Sequence, residues 1–328
     1  MSQSVSSRIR GDWRFWVGVV TPAVVLLYGA LHWSIVATGA GAVEDSDREW
    51  LIVGAVAVVL TWIAASSSQA GTVGVRLPLR GLFATQVAGS FLNHVLPAGI
   101  GQAGLNLRLL RRAGLSVDGA AGAVALNIAA GFIVHAAALA AVLAFDPHVI
   151  HLAALGKITI VWIAGVVICC AALAVALRKR WPARLAARGR LSIAATSSVL
   201  RQPSRAALLW GGSAALPALH TVILVAVLHA LHRPVPVLTV AALYLAASAV
   251  GAVLPGPGAI GGLDVALVSG LIGVGLGAPS ATAAVIAYRM LTVWLPMLPG
   301  AVVLEFMLRK PTQSTEVDGP SFATGVRR

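Results

Sequence analysis

Long apolar stretches separated by short polar segments dominate the pattern of the chain. A helix needs about 20 largely apolar residues to cross a hydrocarbon core of about 30 Å. The first such stretch, at 15–39, has an apolar part too long for a signal peptide, so we expect it to remain as a span. The pattern predicts an all-α integral membrane protein with six full transmembrane helices, at 15–39, 50–70, 118–145, 152–177, 206–231 and 281–308.

The composition agrees with a lipid environment. Of the 328 residues, 58% are hydrophobic and only 11% are charged, whereas soluble domains carry about 25% charged residues. The net charge of +13 is a value also found in nucleic-acid-binding proteins. Here, however, the basic residues lie in short segments between apolar runs, as on the cytoplasmic face of membrane proteins. No nucleic-acid partner is therefore expected.

The distribution of Lys and Arg predicts the orientation. With the N-terminus in the cytoplasm, the six spans leave only Arg48, Lys157 and Arg233 in outer loops, and nearly all other basic residues inside. The bias predicts a multi-pass protein of the bacterial inner membrane with both termini cytoplasmic. Its parts are a basic N-terminal tail at 1–14, a transmembrane domain at 15–308 with a basic cytoplasmic segment at 178–205, and a C-terminal tail at 309–328.

Two further apolar stretches are interrupted by proline and glycine. Residues 81–112 are apolar up to Leu96-Pro97, break over 98–101 and then resume; residues 237–276 break in the same way after Leu254-Pro255. The orientation above places both ends of each stretch on one side of the membrane. Each stretch is therefore predicted to form a re-entrant helical hairpin. Because the hairpins occupy matching places and enter from opposite sides, a span–hairpin–span unit is predicted to occur twice with inverted topology, as in transporters.

The two breaks are candidate binding elements. Non-helical backbone at membrane depth is tolerated only when it is buried in protein or lines a wet cavity. The helices that begin near Gln102 and Leu263 would direct N–H groups at such a cavity, which suits an anion such as phosphate. The alternative is that the breaks only allow close helix packing. The candidate substrate-binding residues at the breaks are Asn93, Pro97, Gly101, Gln102, Pro255, Pro257, Gly258 and Gly261.

Ionisable residues inside apolar segments add further candidates, because each is costly in lipid. Asp264 lies one turn after the second break, where it is either a helix cap or a functional group. Arg289, beside Tyr288, lies deep in the last span and needs a carboxylate or a phosphate, so an ion pair with Asp264 competes with ligand binding. Arg108 either binds ligand or extends to the cytoplasmic surface.

Other polar residues within spans have a simpler explanation. Asn127, His135 and His220 are expected to form interhelical hydrogen bonds. No Walker loop, zinc-ligand spacing or nucleophile elbow is present in the sequence. Hence no enzymatic activity, cofactor or metal is expected.

Two motifs resemble a known family. The stretch Leu254-Pro-Gly-Pro-Gly-Ala-Ile-Gly-Gly-Leu-Asp264, followed by Ala287-Tyr288-Arg289, resembles the flippase-like transmembrane region of lysylphosphatidylglycerol synthases. Asn93-His-Val-Leu-Pro97-Ala-Gly99-Ile-Gly101 is similar to the first re-entrant motif of that family. The resemblance covers about residues 15–308 and implies a lipid-flippase-like fold.

Three features differ from the family pattern. The family usually carries Glu after the glycine of the first motif and Arg three residues later, whereas this chain has Gln102 and Leu105. The second motif usually has Glu in place of Asp264. The aminoacyl-transferase domain of the full-length synthases has no counterpart in this sequence, so synthesis of the aminoacylated lipid is not expected.

The leading hypothesis is a flippase-like protein that moves or handles a phospholipid or polyprenyl-phosphate-linked lipid with an anionic or zwitterionic headgroup. In this hypothesis Arg289, with Arg108, holds phosphate. One alternative is a non-transporting accessory subunit that partners a lipid-modifying enzyme. Another is a membrane component of a glycosyl- or aminoacyl-lipid transferase.

Overall fold

The computed structural model describes residues 46–96, 100–145, 201–253 and 261–309, and these ranges contain helices and no strands. The predicted spans 15–39 and 152–177, the tail at 1–14, nearly all of the segment at 178–205 and all but the first residue of the tail at 309–328 lie outside them. The helices are α1 (Arg48–Gly71), α2 (Leu79–Val95), α3 (Ile100–Arg112), α4 (Val117–Phe145), α5 (Pro203–Ala230), α6 (Val237–Val253), α7 (Gly262–Gly273), α8 (Ala278–Arg289), a π-helical turn (Met290–Trp294) and α9 (Leu295–Arg309).

Four of the described helices are long and apolar enough to cross a membrane. They are α1, α4, α5 and the continuous helix Ala278–Leu308 that joins α8, the π-helical turn and α9. These helices coincide, within three residues at each end, with the four predicted spans that fall in the described ranges. Apolar side chains project outward from them: Ile52 and Ile128 are each 63% exposed and Phe306 is 64% exposed. Such exposed apolar faces are suited to contact with lipid rather than water.

The two interrupted stretches form pairs of short helices that pack on each other. At 1.5 Å per residue, α2 with 17 residues and α3 with 13 extend about 26 Å and 20 Å. The second pair, α6 with 17 residues and α7 with 12, extends about 26 Å and 18 Å. Within each pair the two helices are in contact. All four helices are shorter than a hydrocarbon core of about 30 Å. The pair α2–α3 is called the first hairpin below, and the pair α6–α7 the second hairpin.

Helices α1 and α5 run antiparallel along their whole length and form the central seam of the molecule. At one end the Asp47 N–H donates to the Ala230 carbonyl at 3.0 Å. At the other end Arg205 donates to the carbonyl oxygens of Ala70 at 3.0 Å and Gly74 at 3.3 Å, where a basic side chain complements a helix C-terminus. The seam between them buries Ile223 fully and contains a polar contact, between the Ser68 and Ser213 hydroxyls at 2.9 Å.

The helix contacts of the first half, α1–α4, recur in the second half, α5–α9. Helix α1 contacts α2 as α5 contacts α6, and α3 contacts α4 as α7 contacts α8. Each hairpin also packs on the other half: α2 contacts α9, and α6 contacts α4. The halves therefore interlock.

Basic residues collect at one end of the described helices. The end formed by 72–78, 113–116 and the start of α5 is held together by Arg205 and by an apolar cluster around Leu77 and Leu110. The opposite end, where α1 begins and α5 ends, carries Asp47 and Glu49 with two arginines, Arg48 and Arg233. The basic residues of the first end are Arg76, Arg80, Arg111, Arg112, Arg201 and Arg205.

Candidate functional site

A cavity of about 400 Å³ lies where the two halves meet. Every described helix contributes at least one residue to its wall. Arg289 lies eleven residues after the start of α8 at Ala278, about 16 Å along the continuous apolar helix Ala278–Leu308, so the cavity lies well inside that helix rather than at its end. Most of its lining side chains are polar: Thr61, Gln86, Ser90, Asn93, His94, Gln102, Asn106, Asn127, His220, Tyr244, Tyr288, Arg289 and Thr292.

An ion pair joins the second hairpin to the last span at this cavity. Arg289 Nε donates to Asp264 Oδ1, and Arg289 Nη2 donates to Asp264 Oδ2 at 2.7 Å. The Arg289 side chain is 21% exposed and the Asp264 side chain 11%. Arg289 lines the cavity, while Asp264 lies behind it on α7. The pair expected between these residues is confirmed.

Asp264 also caps the helix on which it lies. Its Oδ2 atom accepts the Gly261 N–H at 2.9 Å, so the carboxylate serves both the start of α7 and the guanidinium. A carboxylate at a helix N-terminus is favoured by the helix dipole. Asp264 is therefore a helix cap, one of the two roles predicted for it, and at the same time the ion-pair partner of Arg289.

The first break is capped from across the hairpin. Asn93, near the end of α2, accepts the Gln102 N–H through its Oδ1 atom at 3.2 Å. One of the N–H groups expected to be available to an anion is thus occupied by a side chain. Gly101 is buried with its Cα against Leu92, and an added Cβ would lie 2.5 Å from Leu92 Cβ. Close packing and a polar lining coexist at this break.

A π-helical turn follows Arg289 and shapes one wall of the cavity. The Leu295 N–H donates to the Met290 carbonyl, five residues earlier, and Pro296 has no N–H to offer to Thr292. Thr292 and Val293, in this turn, both line the cavity. Single π-helical turns in α-helices are frequent at functional sites.

A cluster of three rings borders the ion pair. His220 on α5 stacks on Tyr244 of α6, with ring centroids 5.3 Å apart and an interplanar angle of 7°. The Nδ1 atom of His220 lies 2.8 Å from Tyr288 Oη, a hydrogen bond between α5 and α8. The expected interhelical bond of His220 is confirmed, and the cluster joins three helices beside Arg289.

An amide cluster forms the part of the wall supplied by the first hairpin. Gln102 Nε2 donates to Gln86 Oε1 at 2.9 Å and to Asn106 Oδ1 at 3.2 Å. Gln86 Nε2 also donates to Asn106 Oδ1, at 3.3 Å. Gln86 and Asn106 are nearly buried, with 6% and 3% exposure.

The remaining polar residues of the spans are interhelical links, as expected. Asn127 on α4 accepts the Ser68 hydroxyl at 2.5 Å and donates to Gln69 Oε1 at 3.2 Å, both on α1. His135 Nε2 lies 3.0 Å from the Leu245 carbonyl and 3.2 Å from Ser248 Oγ, both on α6.

The cavity brings together some of the predicted site residues. Asn93, Gln102, Tyr288 and Arg289 line it directly, while Gly101, Gly261 and Asp264 support it from behind. Arg108 is half-buried on α3 and is not among the lining residues, so the structure does not bring it to Arg289. Pro97, Pro255, Pro257 and Gly258 lie outside the described residues.

The sequence pattern does not predict Gln86, Asn106 and Ser90 as site residues, whereas His94 lies next to Asn93 in the first motif. A signal was present: polar residues recur at 86, 90, 93 and 94 within an otherwise apolar stretch. Their spacing of three to four residues places them on one face of α2. Ser90 uses that face to donate to the Pro296 carbonyl at 3.2 Å, which links α2 to α9.

Comparisons with known proteins agree with this architecture. A comparison with curated protein sequences finds no significant match. A family model described as the lysylphosphatidylglycerol synthase TM region matches residues 15–300. That description concerns the membrane region of a lipid-related synthase, which indicates a lipid-related role in the membrane. Because the match covers most of the 328 residues, the chain belongs to the lysylphosphatidylglycerol synthase TM region family.

Proposed function

We propose that this protein binds the polar headgroup of a membrane lipid in the central cavity and moves the lipid between the two leaflets. The acyl or prenyl tails would remain in the bilayer while the headgroup crosses. The observation that carries the proposal is a cavity of about 400 Å³, most of whose lining side chains are polar, well inside the apolar helices of a protein whose outer helix faces are apolar. Polar surface at that depth is costly unless it meets water or a polar ligand.

Arg289 is the proposed phosphate-binding group. An arginine has five N–H donors, and the two bonds to Asp264 use one on Nε and one on Nη2. Among the described residues no acceptor other than Asp264 binds this side chain, so three N–H groups remain on a side chain that lines the cavity. A guanidinium binds phosphate through planar, charge-assisted hydrogen bonds. Asp264 would hold the guanidinium in position while the phosphate binds.

The proposed membrane topology has six full spans and two re-entrant hairpins, with both termini in the cytoplasm of a bacterial inner membrane. The short helices of the hairpins, the recurrence of helix contacts between the halves and the segregation of arginines at one end all support it. The inverted orientation of the two halves would allow alternating access to the cavity. The proposed activity is transport rather than catalysis.

The topology is tested by labelling single cysteines in intact cells. Ser116→Cys, after the first hairpin, should react only after the membrane is permeabilised, whereas Ala278→Cys, after the second, should react with an impermeant reagent from outside. Labelling of position 116 from outside, or of 278 only from inside, would contradict the hairpin assignment.

The activity is tested by reconstituting the purified chain in liposomes that contain lipids labelled on the acyl chain. An impermeant reductant bleaches the outer-leaflet label, and transport exposes the inner-leaflet label to it. We expect complete bleaching with the wild-type chain and about half bleaching in empty liposomes. Folded chain that leaves the inner leaflet protected would contradict transport and would favour the accessory-subunit alternative.

A further inference from the structure

The two sides of the cavity differ in chemistry, and the amide side has no assigned ligand. The second hairpin and the last span supply the Arg289–Asp264 pair. The first hairpin supplies Gln86, Gln102 and Asn106, which are linked by hydrogen bonds of 2.9 to 3.3 Å. Both sides belong to one cavity of about 400 Å³, so a single headgroup can contact both.

No carboxylate lines the cavity among the described residues. Asp264, behind the wall, is already engaged with Arg289 and with the Gly261 N–H. Residues 97–99 and 254–260, which lie outside the described ranges, contain no Asp or Glu in the sequence. A cationic headgroup would therefore find no free counter-charge on these elements, and burial of an unpaired charge is strongly unfavourable.

The amide cluster retains hydrogen-bonding capacity after its internal bonds are made. Each primary amide has two donors and a carbonyl acceptor. Within the described part of the chain, both N–H groups of Asn106 and of Asn93, and one of Gln86, have no acceptor, and Gln102 Oε1 has no donor. No buried side-chain polar atom in the described part of the chain lacks a partner. The Asn106 amide nitrogen and Gln102 Oε1 are therefore accessible rather than sealed against apolar side chains.

We infer that, if the proposed function holds, the amide cluster selects a lipid whose phosphate carries an uncharged, hydroxyl-bearing group such as glycerol or a sugar. Hydroxyls both donate and accept, as the amides do, and neither partner needs a counter-charge. The phosphate would contact Arg289 and the hydroxyls would contact Gln86, Gln102 and Asn106.

Gly89 positions the cluster. The Gln102 side-chain oxygen occupies the space that a Cβ on Gly89 would take. A methyl group at position 89 must therefore displace the Gln102 amide from its bonds to Gln86 and Asn106. Because the displaced atom is the end of a flexible side chain, Gly89→Ala should fold. Gly104→Ala, on the same hairpin, meets nothing within 4 Å and is the matched control.

The test measures lipid binding to the purified full chain in detergent, by thermal stabilisation with short-chain lipids. Phosphatidylglycerol and phosphatidylinositol present hydroxyls of a glycerol and of a ring, respectively. Phosphatidylmethanol has the same single negative charge without a hydroxyl, and lysylphosphatidylglycerol has a cationic headgroup. We expect at least one of the two hydroxyl-bearing lipids to bind roughly five- to tenfold more tightly than phosphatidylmethanol, as one or two hydrogen bonds would give.

The variants assign that preference to the amides. Gln102→Ala and Gly89→Ala should each reduce it roughly two- to tenfold, and Gly104→Ala should leave it unchanged. Gln102→Glu places a carboxylate in the cavity and should shift the preference toward lysylphosphatidylglycerol. Should Gly89→Ala fail to fold, Gln102→Ala and Gln102→Glu still decide the question.

Two results would overturn the inference: equal binding of phosphatidylmethanol and both hydroxyl-bearing lipids by the wild type, or tightest binding of the cationic lipid. The relative affinities of phosphatidylglycerol and phosphatidylinositol distinguish a glycerol from a ring. Transport of all headgroups at the same rate, without a binding preference, would leave the proposed function standing and exclude this selectivity. The expected binding preference without any transport would support the selectivity of the amide cluster and contradict the proposed transport.

Discussion

The two hairpins share a backbone plan but carry different chemistry. The first contributes uncharged amides, Gln86, Gln102 and Asn106, which bond to one another. The second contributes Asp264, which caps α7 and pairs with Arg289 of the last span. The repeated architecture therefore provides the position of the cavity, and the side chains of each half determine what that half can bind.

The two halves also differ in how they satisfy polar groups at membrane depth. Charges in the second half are neutralised by a partner on another helix, as intramembrane ionisable residues usually are. The amides Gln86, Gln102 and Asn106 of the first half are bonded locally, between the two helices of one hairpin. We therefore expect the second half to be more sensitive to the loss of one polar group, and the predictions below test this difference.

The largest effect is expected from Arg289→Ala. It leaves the largely buried Asp264 carboxylate without its cation, which should lower the free energy of unfolding by about 3 kcal/mol and abolish transport. The measurements are thermal unfolding in detergent and the liposome transport assay. The double variant Arg289→Ala with Asp264→Asn removes both charges but keeps an acceptor for the Gly261 N–H.

The double variant should regain most of the stability but not the transport. Full transport by this folded variant would exclude the cavity at Arg289 as the pathway. Arg289→Lys gives an intermediate case. Lysine keeps the charge, but it cannot form the planar pair of hydrogen bonds that a guanidinium makes to a carboxylate or phosphate.

An intermediate effect is expected at the glycines that allow close packing within the hairpins. In the first, an alanine Cβ at Gly101 would lie 2.9 Å from the carbonyl carbon of Leu92, a backbone atom that cannot move aside. Gly101→Ala should therefore destabilise the protein by about 1 to 3 kcal/mol. In the second hairpin, an alanine Cβ at Gly270 would lie 2.7 Å from the end of the Leu243 side chain. That side chain can rotate away.

Gly270→Ala should therefore change the free energy of unfolding by less than about 1 kcal/mol, the scale of the helix-propensity gain from Gly to Ala. Gly104→Ala on α3 serves as the control without contacts. Equal destabilisation by Gly101→Ala and Gly270→Ala in thermal unfolding would show that the hairpins are packed alike.

The smallest effect is expected from single interhelical hydrogen bonds. Tyr288→Phe removes the bond to His220 but leaves the ring packed, and should reduce stability by about 0.6 kcal/mol, the average for such bonds in membranes. Asn127→Ala breaks bonds to Ser68 and Gln69 and should reduce it by about 1 kcal/mol. Complete loss of folded protein in either variant would mean that one such bond is essential to the folding of its half.

Much of the fold could be predicted from the sequence, because hydropathy and helix breakers are local properties. The four spans in the described ranges lie within three residues of their predicted bounds. The helix pairs at 79–112 and 237–273 coincide with the two interrupted stretches. The pairing of Asp264 with Arg289 was also predictable, since each charge needs a partner and few ionisable residues lie at that depth.

Only the tertiary structure decided which other side chains meet at the cavity. The rotation of each helix about its axis depends on its neighbours, and that rotation brings Asn106 and Gln86 to the wall while Arg108, two residues from Asn106, is not part of it. The stacking of His220 on Tyr244 likewise joins α5 to α6, and the bond of His220 to Tyr288 joins α5 to α8. The sequence by itself determined which segments enter the membrane, because transfer into lipid depends on local composition. The chemistry of the cavity depends on packing between distant segments, which no local pattern specifies.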